Sequence, residues 1–334
     1  MALIYTNTDL VEQGYLSGAT MDLQEEHTEN SFALSMGLND YNKLSAGCYV
    51  YDEDNPQFGG RVQKIRVQTA QNGLIWKGPT FAGILSTKII EPGIDHETGL
   101  PRAYRVLTGT FADKIDAVLT LLGLSDVFYT DADGGSTGEW QIDRYTNALT
   151  ALRKLSAQNG LTMIVSFDKA VQKLKISFTT ARTVTAGDEY DGELFDFDIT
   201  KDLMPVNHLI CLGSGQLTAR QVYHLYADRN GIISETQTLF GTDEMTAVYD
   251  YSSVESLDEL KKEGLKHFQE LLDNSTKLEI TPPDEAAFHI GDRIAGQERI
   301  SGIYVEKEVK KIIYKAQDDL PPSITYETTN TKKG

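Results

Sequence analysis

The side chains best suited to catalysis or metal binding in this 334-residue chain are six histidines, whose spacing matches no metal-binding motif. They are His27, His96, His208, His224, His267 and His289. A zinc protease presents two imidazoles from one helix face through H-E-x-x-H, and the sequence has neither that motif nor a helical histidine pair at i, i+4. His208 and His224 fall on adjacent predicted strands, where they can meet. Because a strand histidine more often packs or hydrogen-bonds than binds a metal, we predict no site there.

Two groups of acids resemble ligand or catalytic sets, and each lacks a required partner. Asp131 and Asp133 in DADGGSTGE resemble a calcium loop, but Gly135 and Ser136 stand where that loop needs Asp or Asn and then Gly. The cluster EEHTE at residues 25–29 offers adjacent acids, whereas glycoside hydrolysis needs two carboxylates held apart across a cleft. We therefore interpret the first group as an exposed turn and the second as a solvated face.

The remaining nucleophiles also have a structural explanation. The serine in GSG at residues 213–215 is flanked directly by glycines, unlike the G-x-S-x-G elbow, and a hairpin turn accounts for it. Cys48 and Cys211 are far apart and outside any zinc-type spacing, so we predict two buried thiols and no disulfide. The sequence thus predicts no catalytic, cofactor-binding or metal-binding residue and a chain that is not an enzyme.

Composition and charge limit the possible partners. The chain is 40% hydrophobic and 24% charged, which is typical of a folded protein. Its 31 Lys and Arg against 49 Asp and Glu give a net charge of -18, which disfavours non-specific binding to phosphate backbones or anionic lipid. The first residues, MALIYTNTDLVEQG, lack a cationic region, and no stretch approaches the ~18 apolar residues of a membrane span. We expect synthesis and retention in the bacterial cytoplasm until assembly.

Residues 1–92 are predicted to form a β-rich domain. Short alternating runs such as TMDLQEEH and SFALSMG indicate strands with one buried face. A long pair of predicted strands, GRVQKIRVQTAQNGLIWKGPTFAGILSTKII, contains Asn72-Gly73, which favours a two-residue type I′ hairpin turn between them. Asn230-Gly231 carries the same signal later in the chain. Regularly spaced hairpins predict a barrel or sandwich.

Residues 93–195 change to helical periodicity and are predicted to form an α+β domain. Thr110 is placed to cap a first helix with Asp113 three residues on, and Thr146 precedes a second that ends near Gly160. The runs LTMIVSFD and KLKISFTT then indicate a hairpin packed on the second helix.

Strands are predicted again at 196–235 and 276–334, interrupted by a helical insertion at 236–275. Within the insertion, Ser256 and Glu259 match a capping box. An apolar stripe follows, formed by Leu257, Leu260, Leu265, Phe268, Leu271 and Leu272.

Several sequence blocks resemble a known family. They are GGRV, GILSTKIIEP, RYTNAL, VNHLICLGSGQLTARQVYHLYADRNG and VYDYSSVES. Together they resemble the tail-protein family of siphophages and related prophages, whose members are similar to the baseplate hub and to the N-terminal part of tail-associated proteins. The resemblance covers nearly the whole chain, and the block at 206–231 is its most specific part.

The resemblance implies a mostly β, α+β fold in which two related antiparallel β-barrels carry additional α+β domains. The barrels would be the domains at 1–92 and at 196–235 with 276–334. A trimer would place six barrels in a pseudo-six-fold ring that connects the tail tube or distal tail ring to the host-contacting tip and surrounds the DNA exit path. Expected partners are two further copies, the tube or distal tail ring, and a fibre, spike or lytic tip protein. No sequence-specific nucleic-acid binding and no stable membrane insertion are implied.

Two other classes of function stay open at the level of sequence. A tail-associated cell-wall hydrolase predicts a cleft with paired carboxylates or a Cys/His set. A receptor-binding module predicts an aromatic-rich surface, for which 16 Tyr are available, although Tyr also suits strand packing.

Overall fold

A computed structural model of the protein describes residues 2–26, 30–95, 97–132, 134–135, 137–185, 196–281, 288–297, 304–317 and 320–330. The chain separates into two compact units. The first unit comprises Met1–Phe195, Thr281–Tyr304 and Glu308–Glu327, and the second comprises Asp196–Ile280, Val305–Lys307 and Thr328–Gly334.

Strands dominate both units. In chain order they are β1 Leu3–Thr6, β2 Glu12–Tyr15, β3 Thr20–Glu25, β4 Asn30–Gly37, β5 Tyr49–Asp52, β6 Gly59–Arg61, β7 Lys64–Gln68, β8 Gly73–Pro79, β9 Ile89–Ile90, β10 Arg105–Gly109, β11 Phe128–Thr130, β12 Gly138–Ile142, β13 Thr146–Asn147, β14 Leu161–Asp168, β15 Lys173–Thr180, β16 Thr183–Thr185, β17 Asp196–Lys201, β18 His208–Leu212, β19 Val222–Ala227, β20 Ile233–Ser234, β21 Thr246–Asp250, β22 Thr276–Thr281, β23 Arg293–Gln297, β24 Tyr304–Gln317 and β25 Ser323–Asn330. The helices are α1 Phe81–Ser86, α2 Phe111–Leu121, α3 Ala148–Gln158 and α4 Leu257–Asp273, with 3₁₀ helices at Leu38–Lys43, Thr69–Gln71, Leu217–Ala219 and Gly241–Asp243.

The main sheet of the first unit runs in the order β25-β24-β3-β4-β8-β7. Apolar and polar side chains alternate along its inner strands β3 and β4, so these strands are buried on one face only. Leu23 lies opposite Phe32, and Leu34 lies opposite Trp76, and all four are buried. The alternating patterns read from the sequence are thereby confirmed as strands with one buried face.

A second sheet, in the order β2-β1-β5-β6, packs closely beside the main sheet. The two glycines of β6 allow this approach. A Cβ atom on Gly59 would lie 2.5 Å from the Phe81 ring, and one on Gly60 would lie 2.2 Å from the Phe32 ring. The GGRV block is thus a packing requirement of the core.

One continuous core runs through the first unit. It joins Tyr51 and Phe81 to Ile115, Leu152 and Phe167. The sheet β11-β15-β14 and the helices α2 and α3 contribute to it, and β14 pairs with β15 in an antiparallel hairpin as predicted.

The predicted helices of the first unit are confirmed, with one change of cap. Thr110 and Asp113 form the predicted capping box of α2. The cap of α3 is Asn147, one residue later than predicted, and its side chain accepts a hydrogen bond from the backbone N–H of Thr150. Gly160 has the predicted left-handed backbone, with φ +68°.

Two local predictions in the first 92 residues are wrong. Helix α1 lies within a stretch interpreted as strand, and its signal is Thr80, whose side chain accepts a hydrogen bond from the backbone of Gly83. The β7–β8 hairpin forms, but Thr69–Gln71 adopts a 3₁₀ turn and only Asn72 of the predicted pair is left-handed. The turn is therefore longer than the predicted type I′ turn.

The second unit contains a sheet in the order β20-β19-β18-β21, with α4 on one face. Buried side chains of the sheet, Leu209 and Leu225, pack with Leu260 and Phe268 of the helix. Gly264 lets α4 approach the sheet, since a Cβ atom there would lie 2.6 Å from Cys211 Sγ.

Helix α4 departs from the prediction in its cap and its apolar stripe. Ser256 is the N-cap but makes no side-chain capping hydrogen bond, so the predicted capping box with Glu259 does not form. Leu257 and Leu265 of the predicted stripe are exposed. In the β19–β20 hairpin only Gly231 of the predicted turn pair is left-handed.

The mostly β, α+β class is confirmed, whereas closed barrels are not seen. In the residues that the structure describes, the sheets are open and none closes on itself. The main sheet ends at β7 and the sheet of the second unit ends at β21, so each unit keeps an edge strand that pairs on one side.

Candidate functional site: an exposed strand edge and a histidine cluster

Strand β7 forms an exposed edge with side chains suited to protein contact. Its sequence, KIRVQ, alternates cationic and apolar residues, and in the described part of the chain it pairs only with β8. Ile65 is 40% exposed and Val67 is 51% exposed. An edge with free backbone groups and apolar side chains is a template for pairing with another chain.

An aromatic recess adjoins this edge. The ring of Tyr41, itself exposed, stacks on Trp76 with centroids 6.2 Å apart. A recess of about 470 Å³ is lined by these two rings together with Leu44, Val62 and Ile65, among others. Ile65 thus belongs both to the recess and to the strand edge.

The opposite face of the main sheet carries cations. Cross-strand pairing places Lys315, Asp22, Ala33, Lys77 and Lys64 in one row across five strands. We call this row, with Arg66 two residues beyond Lys64, the cationic face. Lys64 and Lys77 lie directly opposite each other, an arrangement that is unfavourable unless an anion neutralises it.

The second unit contains a cluster of two histidines and a glutamate. His208 Nε2 lies 2.8 Å from His224 Nδ1, and His208 Nδ1 lies 2.6 Å from Glu244 Oε1. The sheet register explains the first contact, because His208 pairs with Tyr226 and Ile210 pairs with His224, which places both imidazoles on one face. The predicted meeting of the two histidines is confirmed.

Burial and ring stacking enclose His208 but not His224. His208 is 8% exposed and stacks on the Tyr226 ring at 4.5 Å, whereas His224 is exposed. The hydrogen bond from His208 lowers the pKa of the Glu244 carboxyl. Glu244 was missed by the sequence reasoning, since it approaches through the parallel pairing of β18 with β21.

The acids and cysteines singled out in the sequence lie in ordinary surroundings within the fold. Asp131 forms an ion pair with Lys175 at 2.5 Å. Glu25 is half-buried, and this burial raises the pKa of its carboxyl, opposed by the nearby Arg153. The interpretation of Glu25 as part of a solvated face is therefore wrong. Cys48 and Cys211 are buried and free, as predicted.

The remaining histidines and acids do not form a metal cluster where the structure describes them. His267 stacks on Tyr249 at 4.3 Å, and His289 lies 3.6 Å from Asp292. The described residues contain no group of three or more His, Cys, Asp or Glu that is able to hold a metal ion. His27, Asp133 and His96 lie outside the described residues.

Comparisons with known proteins found similar solved structures but no sequence family. No protein-family profile matches the chain, and no curated protein matches it. It is similar to the 43 kDa tail protein of prophage MuSo2 from Shewanella oneidensis, with 12% identity, 99% of this chain and 98% of that chain covered, and a TM-score of 0.49. It is similar to the tail protein from Neisseria meningitidis MC58, with 14% identity, 98% and 96% covered, and a TM-score of 0.48.

A third similar structure belongs to the phage P2 baseplate in its activated conformation with Ca. The identity is 11%, all of both chains is covered, at 100% each, and the TM-score is 0.46. The first two of these proteins are tail proteins, and the third is a component of a phage baseplate.

Proposed function

We propose that the chain is a non-enzymatic structural subunit of a phage-type tail. It is the hub that joins the tail tube or distal tail ring to the host-contacting tip, and it resides in the virion. The observation that carries the proposal is the β7 edge, whose exposed Ile65 and Val67 adjoin the aromatic recess at Tyr41 and Trp76. Such an edge is suited to assembly with another protein.

The assembled form that we propose is a homotrimer with two tube-type domains per chain. A closed ring of identical chains uses head-to-tail contacts, which require two different surfaces on each chain. The edge strands β7 in the first unit and β21 in the second, where Val248 is 59% exposed, offer two such surfaces. The open sheets would then complete their barrels only within the pseudo-six-fold ring.

The ring would surround the DNA exit path and bind a fibre, spike or lytic tip protein on its outer side. Neither sequence-specific DNA recognition nor stable membrane insertion forms part of this function. None of the helices in the described ranges is long and apolar enough to span a bilayer.

The mass of the purified 37.0 kDa chain, alone and with its tail-tube neighbour, tests the proposal. Light scattering should give three chains per particle, and electron microscopy should place that particle at the tip of an intact tail. The double variant Ile65→Lys and Val67→Lys should prevent assembly while leaving the unfolding temperature nearly unchanged.

Val171→Lys is the matched control, because Val171 is 51% exposed in the turn between β14 and β15. A chain that stays monomeric at high concentration with the tube protein present would contradict the trimer. Peptidoglycan hydrolysis that disappears on a single Glu or His substitution would favour a tail-tip hydrolase instead.

A further inference from the structure

We propose that His208 and His224 form a two-histidine binding site for a divalent transition-metal ion of the Zn²⁺, Ni²⁺ or Cu²⁺ type. The two ring nitrogens that face each other, His208 Nε2 and His224 Nδ1, are 2.8 Å apart. Imidazole nitrogen is a preferred ligand of these ions. The site is independent of the proposed role in a phage tail.

The separation of the two nitrogens suits a shared ion. Two nitrogens that each lie ~2.0–2.1 Å from a tetrahedral metal are roughly 3.3 Å apart. A widening of about half an ångström, with each ring turned by roughly 35° so that both lone pairs point at the ion, therefore converts the hydrogen-bonded pair into a chelate. The strands need not move, because the diagonal placement of the two residues on β18 and β19 already puts both rings on one face.

Glu244 prepares His208 for metal binding. Its Oε1 lies 2.6 Å from His208 Nδ1 and accepts a hydrogen bond from that nitrogen, so in the neutral imidazole Nδ1 carries the proton and Nε2 carries the lone pair. A carboxylate that orients a ligating histidine in this way is the usual support of a histidine–metal bond. When the metal binds, His224 needs only to move its proton from Nδ1 to the opposite ring nitrogen.

The neighbouring loop fixes Glu244. The side chain of Asn207, next to His208, donates to the Asp243 carbonyl at 2.7 Å and accepts from the Met245 backbone N–H at 3.0 Å. Asp243 and Met245, which flank Glu244, are therefore both hydrogen-bonded to Asn207 at the start of β18. Such a prearranged second layer reduces the ordering needed when an ion binds.

The surroundings favour a borderline ion over a hard one. His208 is buried against the Tyr226 ring, whereas His224 is exposed and leaves the remaining coordination positions open to solvent. Mg²⁺ and Ca²⁺ require several oxygen ligands, and the two facing donors here are nitrogens. We therefore expect selective binding of one transition-metal ion per chain.

Isothermal titration of the untagged full chain with ZnCl₂ and NiCl₂ tests the proposal. The wild-type chain should bind one ion, and His224→Ala should weaken binding at least tenfold. Glu244→Gln should weaken it by about 10–100-fold, the usual cost of losing a supporting carboxylate. His267→Ala is the matched control, since His267 stacks on Tyr249 away from this pair, and MgCl₂ should give no binding.

Two outcomes would overturn the site. One is the absence of Zn²⁺ and Ni²⁺ binding to the wild-type chain, and the other is equal binding by the wild-type chain and His224→Ala. The second variant His224→Gln keeps a polar side chain on the same exposed strand position. Its circular dichroism spectrum should match the wild type, so that a loss of binding reports the ligand rather than the fold.

Discussion

The hydroxyl of Tyr314 donates a hydrogen bond to Asp52 Oδ2 across 262 residues of sequence. Both side chains are fully buried, and the bond joins β24 to β5 inside the first unit. Asp52 also accepts from the Asp54 backbone N–H and the Asn55 side chain, each at 3.1 Å. The ring of Phe58 stacks on Tyr314 with centroids 4.0 Å apart.

Removing this hydroxyl should destabilise the first unit. Tyr314→Phe keeps the ring but leaves the buried Asp52 carboxylate without one donor, which costs about 1–3 kcal/mol. Urea unfolding followed by fluorescence measures the loss. Tyr15→Phe is the control, because Tyr15 is 57% exposed, and it should stay within about 0.5 kcal/mol of the wild type. Equal stabilities for both variants would show that Asp52 does not depend on Tyr314.

This contact also marks the limit of prediction from sequence. The Thr110 cap was predictable because its partner, Asp113, is three residues away, and local spacing alone decides the contact. The meeting of His208 and His224 was predictable because their strands are neighbours in sequence. The partnership of Asp52 with Tyr314 depends on the packing of two sheets, which no local pattern encodes.

The wrong predictions have the same cause. Ser256 and Glu259 have the spacing of a capping box, yet Ser256 makes no capping side-chain hydrogen bond. Asn72 adopts the left-handed conformation expected of a turn residue, but a 3₁₀ turn precedes it and lengthens the connection. The two-barrel expectation, which came from the family resemblance, is not wrong but unconfirmed, because an open sheet closes only if its edges find partners, which single-chain patterns do not determine.

A glycine in the main sheet provides a second test. A Cβ atom on Gly78 would lie 1.8 Å from the backbone carbonyl oxygen of Arg61. Gly78→Ala must therefore displace β8 from the end of β6, where Arg61 lies. We expect a loss of at least about 2 kcal/mol in the free energy of unfolding. Gly37→Ala is the control, because nothing lies within 4 Å of its Cβ position. A Gly78→Ala variant as stable as Gly37→Ala would contradict the packing described.

Asp292 should make the first unit sensitive to acid. It is fully buried and accepts backbone hydrogen bonds from Arg182 at 3.1 Å and His289 at 2.9 Å. Burial alone would raise the pKa of this carboxyl, but the hydrogen bonds from His289 and Arg182 outweigh it and lower the pKa below its usual value. Asp292 therefore stabilises the fold fully above pH ~4, and this contribution disappears as the pH falls through the lowered pKa.

Urea midpoints at pH 7, 5 and 3 measure the effect. The Asp292→Asn variant should be less stable than the wild type at pH 7, and the gap between them should narrow at pH 3. Asp143→Asn is the control, because Asp143 is exposed and pairs only with Lys154 at 2.6 Å among the described residues. A gap that stays constant from pH 7 to pH 3 would rule out a role for Asp292 ionisation.

The cationic face should meet acidic protein and not the DNA path. Basic walls would hold the phosphate backbone by counterion release and slow the exit of a genome, so a DNA-conducting lumen should be acidic or neutral. Lys64, Lys77 and Arg66 lie together on this face, whereas the chain as a whole carries a charge of -18. The acidic surface of a neighbouring subunit is the complementary partner that such a composition supplies.

Charge reversal on the cationic face distinguishes a contact with acidic protein from a contact with DNA. We expect Lys64→Glu with Lys77→Glu to weaken ring assembly and to remove part of its salt dependence, because the lost contacts are ionic. Lys262→Glu with Lys266→Glu makes the same change in net charge on the exposed side of α4 and should assemble normally. Neither the wild type nor either variant should retain duplex DNA in a gel-shift assay at physiological ionic strength. If the wild type binds DNA and the Lys64/Lys77 variant does not, then the cationic face is a DNA contact. A ring lumen lined mainly by Lys and Arg would contradict the expectation of an acidic or neutral DNA path.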